Sequence, residues 1–81
     1  MHKPSHSEKK AITRKMRSLM TQDLARGVSG SVLCHNCGRV KPVAGTVYYS
    51  RYRLCNDCAL SYELAKANGD VQDAEDFILT E

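Results

Sequence analysis

Eighty-one residues hold one small domain with short extensions, and no stretch approaches the ~20 apolar residues of a membrane-spanning helix. The formal net charge of +3 conceals a lopsided distribution. Residues 1–53 carry eleven Lys/Arg against two acidic groups, whereas residues 54–81 carry one Lys against seven. A basic half of this kind offers a contact surface for phosphate and leaves the acidic half another task; the alternative is two solvated faces that attract each other.

From the N-terminus, Ser5 and Glu8 match the S-x-x-E capping box, with Pro4 just upstream. Ile12, Met16, Leu19, Met20 and Leu24 then recur at helical spacing, and Lys9, Lys10, Arg14, Lys15 and Arg17 lie largely off that stripe. Gly27 is placed to stop the helix. Residues 5–26 therefore read as a basic amphipathic helix, its stripe packing on the rest of the chain, on a second copy or on a partner. Val28 to Ser31 is small and polar enough to be a linker.

Beyond the linker, Cys34-His35-Asn36-Cys37 and Cys55-Asn56-Asp57-Cys58 hold all four cysteines, with seventeen residues between the pairs. Two residues inside each pair let both sulfurs face one ion, and the long insert lets the second pair close a tetrahedron. Thiolates are soft ligands that suit zinc, and with all four positions filled by protein the ion is structural rather than catalytic. Two disulfides or an iron ion fit the same four residues. The polar, charged segment from Met1 to Lys10 lacks the apolar run of an export signal, so the expected setting is cytoplasmic and reducing, and the expected cofactor is one zinc ion.

Gly38 suits a tight knuckle after Cys37. Residues 39–54 read as one hairpin, with Val40 to Val43 as an edge strand containing Pro42, Ala44-Gly45 as the turn, and Thr46 to Leu54 as the second strand. Arg51 and Arg53 flank Tyr52 there, and Arg39 and Lys41 lie in the first half of the same hairpin. Such cations, interleaved with aromatics, can grip phosphate and stack on bases, although at least two of the four tyrosines are expected in the small core. Asn56 or Asp57 is expected to cap a helix bearing Leu60, Leu64 and Ala67 on one face and ending at Asn68-Gly69. Asp70 is expected to cap a last short helix with Val71, Ala74, Phe77 and Ile78 on one side.

The expected fold is thus a small zinc-stabilised α+β unit in three parts: a basic N-terminal helix and linker (1–31), a four-cysteine finger (32–69) and an acidic C-terminal helix or tail (70–81). From Cys34 to Gly69 the finger has 36 residues, below the roughly 40 at which a chain folds without a metal, disulfides or a partner. Structural zinc contributes an apparent ~10–16 kcal/mol in units of this size.

Knuckle, hairpin and second cysteine pair at a helix start follow the order of a treble-clef zinc finger. Cys34-His35-Asn36-Cys37-Gly38 resembles the opening of GATA-type fingers, and Leu54-Cys55-Asn56-Asp57-Cys58-Ala59-Leu60 resembles their L-C-N-x-C-x-L close. The same cysteine frame is similar to that of the DksA/TraR family, bacterial proteins that bind RNA polymerase, and more distantly to a short zinc-bearing anti-sigma protein. These resemblances cover residues 34–69 and imply transcription-linked regulation.

One functional expectation is nucleic-acid binding through Lys9, Lys10, Arg14, Lys15, Arg17, Arg39, Lys41, Arg51 and Arg53. The alternative is a protein–protein adaptor acting on RNA polymerase or a sigma factor, anchored by Met16, Leu19 and Met20 or by Phe77, Ile78 and Leu79. Catalysis is not expected. His2, His6 and His35 belong to no visible nucleophile–base pair, and the metal site has no open position.

Overall fold

The computed structural model describes residues 5–79; His2 and Pro4 lie outside them. Three helices and two small antiparallel hairpins make an α+β fold: α1 (His6–Ala25), β1 (Ser31–Leu33), β2 (Val40–Pro42), β3 (Val47–Tyr49), β4 (Tyr52–Leu54), α2 (Asn56–Asn68) and α3 (Ala74–Leu79).

The side chain of Ser5 caps α1 by accepting from the Glu8 backbone N–H at 3.2 Å. At the other end Gly27 adopts φ +83°, and the N–H groups of Gly27 and Val28 return to the carbonyls of Leu24 and Asp23. That closure satisfies the last helical acceptors as a Schellman motif does. Met16 is the fully buried residue of α1, at 3% exposure, and Ile12 and Leu19 pack beside it. Leu24, expected on the same stripe, is exposed. The core that Met16 enters contains Cys34, Leu54, Cys55, Cys58, Ala59, Tyr62 and Ala74, so α1 and the cysteine-bearing elements share one interior.

The expected single hairpin over residues 39–54 is two. β2 pairs with β1, Leu33 opposite Val40 and Ser31 opposite Pro42, and the turn between them is the knuckle itself. There the Gly38 N–H donates to the Cys34 carbonyl and the Cys34 N–H to the Arg39 carbonyl. Two cysteines that must face one point reverse the chain and supply the turn expected of Ala44-Gly45. Part of the expected linker, Ser31, is therefore strand. β3 pairs with β4 around Ser50-Arg51, where Ser50 takes φ 58°. An ordinary L-residue at positive φ is uncommon, which is why the run from Thr46 to Leu54 shows no turn in its composition.

Cys55, not Asn56 or Asp57, occupies the N-cap position of α2. Cys58, Ala59 and Tyr62 form the buried face of α2, while Leu60 packs partly on the core and Leu64 and Ala67 stay half-exposed. Gly69, at φ +85°, ends the helix as expected. Asp73 rather than Asp70 caps α3, accepting from the Asp76 N–H at 2.8 Å. Ala74 is buried, and Phe77 meets the Tyr62 ring edge-on at 5.6 Å. Tyr49 meets the same ring from the second hairpin at 4.7 Å and donates to Glu63 at 2.7 Å. Burial, with that carboxylate beside it, pushes the Tyr49 phenol well above its ordinary range.

The segment from Val43 to Thr46 runs beneath α1. Gly45 is buried at φ +79° and donates its N–H to the Asp23 carboxylate at 2.9 Å. A Cβ at this position would lie 2.7 Å from Asn56 Nδ2 and 2.8 Å from Met20 Cβ. Gly45→Ala therefore adds overpacking, about 1–3 kcal/mol, to the left-handed penalty of about 1–2 kcal/mol. At Gly27 a Cβ meets nothing within 4 Å. In denaturant unfolding of the metal-loaded protein, Gly45→Ala should cost clearly more than Gly27→Ala; equal losses would show that the close approach is not a constraint.

Candidate metal centre

The knuckle between β1 and β2 brings Cys34 and Cys37 together, and the first turn of α2 brings Cys55 and Cys58 together. All four sulfurs lie within 4.8 Å of one another. Around a tetrahedral ion with ~2.3 Å metal–sulfur bonds, sulfurs stand ~3.8 Å apart, so a small contraction completes the shell. Each cysteine is a free thiol. Cys34, Cys55 and Cys58 are buried and Cys37 is exposed. The cluster can hold a metal ion and is consistent with one structural zinc.

Hydrogen-bond donors point at two of the sulfurs. The Cys55 N–H points at Cys34 Sγ at 3.4 Å, and the Asn36 amide donates to Cys58 Sγ, also at 3.4 Å. Burial pushes the Cys34 thiol up, but the backbone N–H groups of Cys55, Cys37 and Asn36 outweigh it and hold the group at about 6. Burial dominates at Cys55 and Cys58 and raises both. Hydrogen bonds thus favour the thiolate at Cys34, whereas burial favours the neutral thiol at Cys55 and Cys58. A dication reverses that balance by supplying the charge the buried sulfurs lack.

Asn56, between the second pair, does more than its place at a helix start suggests. It is 5% exposed, and its amide donates to the Met16 carbonyl at 2.8 Å and to the Gly45 carbonyl at 3.2 Å. Its oxygen accepts from Arg17 at 2.7 Å. It braces α1 and the 43–46 segment against the start of the metal-bearing helix instead of capping that helix. Asp57 accepts from Arg17 at 2.7 Å and from Lys41 at 3.3 Å, and these two cations hold its carboxyl below the usual range.

The expected phosphate-binding cations divide accordingly. Arg17 and Lys41 are paired with Asp57. Arg51 lies 3.7 Å from Glu75 and over the Tyr52 ring, and Arg53 donates through Nε to the Leu33 carbonyl at 3.2 Å. Lys9, Lys10, Arg14, Lys15 and Arg39 are exposed and carry no ion pair among the described residues. His6, Lys9, Lys10, Thr13 and Arg14 line a shallow hollow on α1. His35, exposed on the knuckle, accepts from the Arg53 N–H through Nδ1 at 2.8 Å. Of the expected apolar anchors, Met16 is turned inward, while Leu19, Met20, Phe77 and Ile78 are partly buried. Leu79 is exposed.

No protein-family model, curated protein or solved structure matches this chain. Among the described residues no helix is long and apolar enough to cross a membrane.

One equivalent of Zn(II) should bind per chain, and Co(II) should give the absorption bands of a four-thiolate tetrahedral site. Chelation should abolish helical circular dichroism cooperatively. Ordinary cysteine thiols, with pKa ~8.5, keep their protons at neutral pH in the unfolded metal-free chain, so loading should release about two or more protons, and apparent affinity should fall as pH falls. Proton release near zero, or a fold that survives full chelation, would overturn the structural role.

Proposed function

We propose that this protein is a non-catalytic, zinc-stabilised regulator, linked to transcription, that binds nucleic acid through the outer face of α1. Knuckle, second hairpin and metal-bearing helix follow one another in treble-clef order, which supports the likeness to GATA-type and DksA/TraR fingers. The observation that carries the nucleic-acid reading is the set of unpaired cations Lys10, Arg14 and Lys15 on the exposed side of one helix, with Lys9 beside them above the seam with α2. Lys10 and Arg14 stand one turn apart, and three of the four border the same hollow. Burial of Met16 gives this helix a fixed seat, so the cations are presented from a rigid element rather than from a free tail. The paired Arg51 and Arg53 offer less, since their charge and hydrogen-bonding capacity are already partly used. Interactions of this kind are made to phosphates and carry affinity rather than sequence information.

Fluorescence anisotropy with a labelled DNA duplex across a salt series tests the reading. Neutralising Lys9, Lys10, Arg14 and Lys15 to Gln should weaken binding and flatten the log–log salt dependence by ~0.9 for each phosphate that is no longer neutralised. Arg51→Gln with Arg53→Gln should change the slope much less. A quadruple variant that binds like the parent would reject α1 as the binding surface.

A further inference from the structure

Between Asp23 and Asp57 the chain contains no acidic residue, and both hairpins lie within that interval. Three large apolar side chains stand open to solvent on them: Leu33 is 49% exposed, Val40 69% and Tyr48 62%. These three are not scattered. Leu33 is directly opposite Val40 in the first hairpin, and Tyr48 is directly opposite Arg53 in the second. Arg53 joins the two hairpins: its N–H donates to His35 Nδ1, its carbonyl accepts from the His35 N–H at 2.9 Å, and its Nε donates to the Leu33 carbonyl. Tyr48, Arg53, Leu33 and Val40 thus succeed one another across the seam, and Arg39 follows at the β2 end.

The hydrogen-bond pattern adds an edge. The Cys34 N–H donates to Arg39 and the Val43 N–H to Gly30, which places the bonded pairs at 34:39, 32:41 and 30:43. Leu33 and Val40 are consequently a non-bonded pair, with side chains close together and backbone groups turned outward. On β1 the Leu33 carbonyl is taken by Arg53. On β2 the Val40 N–H and C=O face away from β1, and Pro42 ends that edge two residues on.

We propose that this face docks an extended segment of a partner protein in which apolar residues alternate with Asp or Glu. The apolar side chains would cover Leu33, Val40 and Tyr48. The carboxylates would meet Arg39 and Arg53; the carboxylates of the fold that touch the hairpins, Asp57 and Glu75, are held by Lys41 and Arg51. One or two main-chain bonds at the open β2 edge would set the register, as in strand addition. The charge argues against a second copy presenting the same face, since Arg39 and Arg53 would then oppose their own kind. Two of the three large exposed side chains are aliphatic, which favours a peptide over single-stranded nucleic acid, where aromatic platforms do the stacking. This surface is distinct from the cations of α1, so it stands whether or not α1 binds nucleic acid.

The zinc-loaded full chain, followed by amide chemical-shift mapping, tests the proposal with three probes: a short synthetic peptide of alternating Glu and Leu, its Lys/Leu counterpart, and oligo-dT. The Glu/Leu peptide should shift Leu33, Arg39, Val40, Tyr48 and Arg53, and the Lys/Leu peptide should not. Leu33→Ser with Val40→Ser should lower that affinity at least tenfold. Arg39→Gln, at an exposed position outside the core, should weaken it severalfold without touching the fold. Overturning results are a Glu/Leu peptide that leaves these amides unmoved, oligo-dT shifting them instead, or concentration-dependent self-association through the same residues.

Discussion

Four sulfurs converging within 4.8 Å are the constraint from which the rest of the architecture follows. Uncompensated, such a cluster is unfavourable, because burial raises Cys55 and Cys58 while hydrogen bonds already hold Cys34 low. A divalent ion resolves the conflict. The interior available to the chain is otherwise slight: three of the residues in the buried cluster are the cysteines themselves, and two more are alanines. Few large side chains contribute, so an ion held by the four sulfurs would take the place of the missing hydrophobic mass.

That centre also organises what is not bound to it. The turn of α2 that positions Cys55 and Cys58 carries Asn56 and Asp57 between them, and both reach α1. Asn56 closes on the Met16 and Gly45 carbonyls, and the bare backbone of Gly45 lets Met20 and Asn56 approach from two sides. Loss of metal would release the turn and with it the brace. The helix that presents the basic face is therefore coupled to the ion, although none of its residues is a ligand.

The metal cluster, the capped basic helix and the Gly69 stop were legible because each rests on local chemistry: ligand spacing, a capping box, a left-handed terminator. The hairpins are not legible in sequence because their pairing is set by the knuckle, a tertiary event, while the second turn uses Ser50, where composition gives no glycine or asparagine signal. Asn56 or Asp57 reads as a cap in sequence because only the neighbouring backbone is visible there. A residue next to a helix start looks like a cap until a distant carbonyl, here that of Met16, proves a better partner. Similarly, the expected face of α2, Leu60, Leu64 and Ala67, is not the buried one, because Tyr49 and Phe77 meet Tyr62 and hold the other side of the helix inward.

Charge is partitioned by the same geometry. Asp57 is placed by the metal-bearing turn, and it takes Arg17 and Lys41 out of the pool of free cations. Glu75, carried by α3, does the same for Arg51 and also accepts from Tyr52 at 3.3 Å. Among the described residues, Lys9, Lys10, Arg14 and Lys15 of α1, Arg39 at the end of the first hairpin, Arg53 of the second and Lys66 of α2 carry no ion pair. The acidic C-terminal half is thus not a separate appendage to a basic N-terminal half. Two of its carboxylates, Asp57 and Glu75, engage Arg17, Lys41 and Arg51, and so decide which of the cations on α1 and the hairpins remain available.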